Sequence, residues 1–68
     1  MADARRRAVR EWFVDLLEAA DELGYGVLEV AKARIVLVPI TDPSATITIA
    51  SVRLNAQYLR LVLLARPA

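Results

Sequence analysis

Residues 3–23 carry apolar side chains at spacings of three and four: Val9, Trp12, Phe13, Leu16, Leu17, Ala20 and Leu23. That period is one face of an amphipathic α-helix. Asp3 stands where an N-cap carboxylate would accept from the first free N–H groups. Gly24 stands at the position after the helix, where a left-handed backbone costs glycine least. The pattern predicts a helix over 3–23.

Beyond Gly24 the period shortens. Residues 25–30 are rich in β-branched and aromatic types, and 34–40 (RIVLVPI) reads as a strand. Thr41-Asp42-Pro43-Ser44 has turn chemistry, with Asp42 before a Pro at i+1 and Ser44 after it. Residues 46–54 (TITIASVRL) begin in clean alternation, Ile47 and Ile49 against Thr46 and Thr48. A turn at Ala31-Lys32 pairs Glu29 with Arg34 and Leu28 with Ile35; without a Gly there, 25–40 also reads as one bent strand.

Residues 58–65 (YLRLVLLA) admit two readings. As a strand joined to the previous one by a turn at Asn55-Ala56, they set Ile49 opposite Val62, Ile47 opposite Leu64 and Val52 opposite Leu59, so that apolar meets apolar. Ala is a poor second residue for such a turn. As a helix over 51–65, they meet no Gly or Pro, find a cap in Ser51, and bring Arg53, Gln57 and Arg60 to one face. The strand reading gives an α+β single domain over 1–68, an N-terminal amphipathic helix packed on an antiparallel four-stranded β-meander. The helix reading gives α-β-β-β-α. This second order shares its outline with double-stranded-RNA-binding domains and small toxin ribonucleases, without their signature residues.

The meander has a consequence. One face collects Leu28, Val30, Ile35, Leu37, Pro39, Ile47, Ile49, Val62 and Leu64. The other collects Val27, Val36, Val38, Ile40, Ala50, Val52, Leu59, Leu61 and Leu63. An antiparallel sheet usually keeps one face wet, and one helix covers one face. The second face, with Val36, Val38, Ile40, Leu59, Leu61 and Leu63 as its interface residues, calls for a second copy of the chain. The α-β-β-β-α order weakens that argument, because a second helix can cover the face within one chain.

Composition supports self-association independently. The chain has 68 residues, 57% of them hydrophobic, with no Cys and no His. Domains this small usually need a disulfide, a metal or an oligomer, and the first two lack their usual side chains. The same absences remove Ser-His and Cys-His nucleophile pairs, thiolate zinc sites and the commonest transition-metal ligand. The two glycines, Gly24 and Gly26, have no nucleotide-loop spacing. No catalytic, cofactor or metal residue is assigned, and the expectation is a non-enzymatic module. Eight of the nine basic residues are Arg, a bias that suits a GC-rich coding sequence and an artificial, de novo design equally.

Net charge is only +1, but the charges are segregated. Arg5, Arg6, Arg7 and Arg10 stand against Asp3 in the first ten residues, and Glu11, Asp15, Glu18, Asp21 and Glu22 follow with no base among them. Glu11, Asp15, Glu18 and Glu22 form one row along the helix. The row reads as a solvated face or as a docking strip for a basic surface, such as Arg53 or Arg60 of another copy. Helix carboxylates alone make at best a weak Mg²⁺ or Ca²⁺ site. The Arg cluster is the candidate nucleic-acid contact, through phosphates, although the acidic row beside it repels a polyanion. No apolar leader or membrane-length run appears, so the expected location is cytoplasmic, with no membrane partner.

Overall fold

The computed structural model describes residues 2–66. Helix α1 (Ala2–Glu22) is followed by strands β1 (Tyr25–Ala31), β2 (Arg34–Pro39) and β3 (Ile47–Ala50), and by helix α2 (Ala56–Ala65). The strands form one antiparallel sheet in the order β1-β2-β3. The α+β class therefore holds, and the four-stranded meander is corrected to three strands and a closing helix, the α-β-β-β-α order.

The last element is helical for reasons visible in its first residues. Asn55 is extended, and its side-chain oxygen accepts from the Tyr58 N–H at 2.8 Å, a regular N-cap. A hairpin there would have forced Ala56 to positive φ, whereas Ala and Leu are strong helix formers. Leu59 and Leu63, four apart, turn to one side and are buried, with Tyr58 and Val62 packed beside them. Leu61 and Leu64 are left on the solvent side. Ser51 is not the cap: its hydroxyl accepts from the Arg53 N–H in the turn that joins β3 to α2.

The start of the chain follows the expected pattern with small shifts. Helix α1 begins at Ala2, so Asp3 lies in its first turn instead of at the N-cap, where its charge still suits the helix dipole. At the other end the Leu23 and Gly24 N–H groups donate to the Ala20 and Asp21 carbonyls, and Gly24 takes φ 85°. The Pro turn also forms: Ala45 N–H donates to the Asp42 carbonyl across Pro43-Ser44, and Ser44 Oγ–H donates to the Asp42 carboxylate at 2.7 Å.

The first hairpin differs from the expected register. The turn is Lys32-Ala33, and Ala31 pairs with Arg34 and Val30 with Ile35. Between Val27 and Glu29 the register shifts, leaving Leu28 as an extra, exposed residue in a β-bulge. The bulge reverses the strand's parity, so Val27 and Val30 both face the core. Glu29 and Arg34 still meet as an ion pair, diagonally across the hairpin.

Both helices pack on the same face of the sheet. Leu16, Ala19 and Ala20 of α1 and Leu59 and Leu63 of α2 join Ile35, Leu37, Ile49 and Leu54 in a single cluster. Two contacts far apart in sequence tie the helices in place. The Trp12 indole N–H donates to the Leu54 carbonyl at 2.7 Å, and Arg60 pairs with Glu22 at 3.1 Å.

Candidate interaction surfaces

Among the described residues no polar or charged side chain is buried, and no cluster of Asp and Glu could hold a metal ion. Among the described residues no helix is long and apolar enough to cross a membrane. The features that stand out are surfaces, and two are built differently.

The first is the outer face of the sheet. Register places Val36 opposite Glu29 and Thr48, Val38 opposite Gly26, and Arg34 opposite Ala31 and Ala50. These side chains point away from the cluster that holds Ile35, Leu37 and Ile49. The centre of the face is thus Val36 and Val38, both partly exposed, bordered by small residues and by the Glu29–Arg34 pair. Ile40, just past β2, is 62% exposed. Of the six residues expected to form an apolar face together, Val36 and Val38 share it. Leu59 and Leu63 belong to the chain's own core, and Leu61 lies on the exposed side of α2. The alternation of Leu59, Leu61 and Leu63 that grouped them is a strand pattern, and a helix separates successive odd positions by about 200°.

The second surface comes from the length of α1. Its 21 residues span about 31 Å, against about 20 Å for a six-residue strand. The first fully buried position is Leu16, residues 3–11 are all exposed, and the molecule is drawn out to 43 × 19 × 18 Å. The apolar stripe nevertheless continues into this overhang through Val9, Trp12 and Phe13. Opposite it lie Val30 and Lys32 at the hairpin tip and Val52 and Leu54 in the β3–α2 turn, and together they border an open groove of about 710 Å³. Val52 is 95% exposed. Arg5 and Lys32 stand on the groove's edges, and Arg5, Arg6 and Arg10 border a further apolar hollow over Val9 and Phe13.

The four candidate nucleic-acid residues lie on this overhang, all exposed. Three of them, Arg5, Arg6 and Arg10, border the apolar hollow; Arg7 does not. The acidic row is also exposed, and its Glu22 is held by Arg60 of the same chain. The docking-strip reading of that row named Arg53 or Arg60 of another copy, and Arg60 instead pairs with Glu22 within its own chain. Sequence reasoning missed Lys32, Val52 and Leu54 as groove residues. The strand reading had set Val52 opposite Leu59 on the outer sheet face, and its neighbours in the groove lie 20 and 40 positions away.

Comparison with known proteins found no family model that matches this chain, and no curated protein or solved structure similar to it.

Proposed function

We propose that the protein is a small non-enzymatic interaction module that self-associates through the outer face of its sheet, and that it works in the cytoplasm. One observation supports this above the others. Both helices lie on one side, so among the described residues neither helix covers Val36 and Val38, which stay half-buried at the centre of the sheet. A second copy is the natural occupant because the face is self-complementary. Its centre is uncharged, its flanks are small, and its two charges, Glu29 and Arg34, can exchange partners across a two-fold axis.

Size sets the strength. Three strands of about six residues present roughly 14 × 20 Å, about 300 Å² in projection. A standard interface buries about 800 Å² per partner. The dimer is therefore weak, with Ile40 and Leu28 extending it at the margins. Sedimentation equilibrium over a wide concentration range should show a monomer–dimer equilibrium. Val38→Arg should abolish it while leaving the monomer folded. A single monomeric species at millimolar concentration overturns the proposal.

The exposed Arg5, Arg6, Arg7 and Arg10 favour a second reading, contact with nucleic-acid phosphates. It requires affinity that falls steeply with salt and depends on all four arginines.

A further inference from the structure

We propose that the groove between the first half of α1 and the β1–β2 hairpin tip is a docking site for an acidic amphipathic helix of another protein. This surface is separate from the outer sheet face, so the two proposals stand or fall independently.

Three features of the groove define its occupant. The α1 side is apolar, formed by Val9, Trp12 and Phe13, with Val52 and Leu54 on the opposite wall. A solvated loop would leave that surface wet, whereas a helix laying an apolar stripe into it removes water from both. The rim carries only positive charge: Arg5 and Lys32 on the groove, Arg6 and Arg10 beside it, with no carboxylate among the lining residues. None of these four makes an ion pair among the described residues. Carboxylates flanking the partner's apolar stripe would meet them, whereas a basic partner would be repelled. The α1 residues that line the groove run from Arg5 to Phe13, about 12 Å along the helix, room for about two helical turns of a partner.

A second copy of this chain does not meet the description. Its acidic row, Glu11, Asp15, Glu18 and Glu22, has one large exposed apolar neighbour, Val14. The exposed side of α2 carries Leu61 and Leu64 but no acid. A flat anionic membrane would satisfy the charges but not the concave groove, in which the Trp12 indole is fixed by its bond to the Leu54 carbonyl.

Trp12 is the chain's single tryptophan, and it lines this groove, so its fluorescence reports on a ligand seated there. The probe is an 18-residue peptide with Leu and Phe on one helical face and Glu beside them, titrated into the intact protein. A control peptide keeps the apolar positions and replaces Glu by Lys. The expected result is a saturable shift of Trp12 emission with the acidic peptide only. Affinity should weaken at least tenfold between low salt and 0.5 M salt, where screening shortens the reach of the charges. The double variant Arg5→Glu, Lys32→Glu should weaken it at least tenfold, and Phe13→Ser should abolish it, both with the far-ultraviolet circular dichroism of the wild type. Arg7→Glu, outside the groove, and Val38→Arg, on the sheet face, should leave it unchanged. Equal binding of the basic peptide, or no saturable response to the acidic one, overturns the proposal. So does a Trp12 shift produced instead by phosphatidylglycerol vesicles, by an oligonucleotide, or by raising the protein concentration alone; each would give the groove to a different occupant.

Discussion

The two halves of α1 share one apolar stripe and meet opposite fates. Val9 and Leu16 are seven residues apart, two turns along the same face, yet Leu16 is fully buried and Val9 is 58% exposed. Nothing in the local sequence separates them. The difference lies beneath the helix: the second half packs on the sheet and α2, and the first half faces only the hairpin tip and the β3–α2 turn across an open groove. An amphipathic pattern records what a helix can bury, not how much surface is present to bury it against.

Substitutions at paired positions should expose that difference. Leu16→Ala removes a fully buried side chain and leaves a cavity, so it should cost about 2–5 kcal/mol in urea unfolding, a large part of the stability of so small a domain. A loss below about 1 kcal/mol would mean that the second half of α1 is not packed as described. Asn55→Ala should cost about 1 kcal/mol, the value of a side-chain cap. That change acts on α2, which packs with Leu16 in the core, and on the turn that carries Val52 and Leu54, so it should loosen the inner half of α1 and that wall of the groove together. Val9→Ser should change unfolding stability by no more than about 0.5 kcal/mol, as expected for an exposed position. A cost near that of Leu16→Ala would show that the overhang is covered in solution.

The same contrast explains what could be read in advance. Helix α1, its stop at Gly24 and the Pro43 turn follow from rules confined to a few neighbouring residues. The first hairpin was half legible: the Glu29–Arg34 pair is real, but the bulge at Leu28 shifts the register by one and moves Val27 to the core side. No residue type announces a bulge. The apolar run after Tyr58 was ambiguous because a short run fits either period, and the cap at Asn55 decided it. The expected two-faced sheet rested on both of those choices. With each corrected, its second face shrinks to Val36, Val38 and their margins. The groove was beyond reach for another reason: Val9, Lys32 and Val52 come from three segments that only the tertiary fold brings together.

The bond from Trp12 to Leu54 also has a bearing on time. The β1–β2 hairpin closes through two residues, and such structures form within about 1–10 μs. The indole and its carbonyl acceptor are 42 positions apart, and the Glu22–Arg60 pair spans 38. Contacts across such long loops need more chain entropy removed before they are rewarded. The seating of α2 and its preceding turn against α1 should then be among the last events of folding. The wall of the groove that holds Val52 and Leu54 is assembled at that final stage, so a segment docked there would act as a clasp on the two ends of the chain.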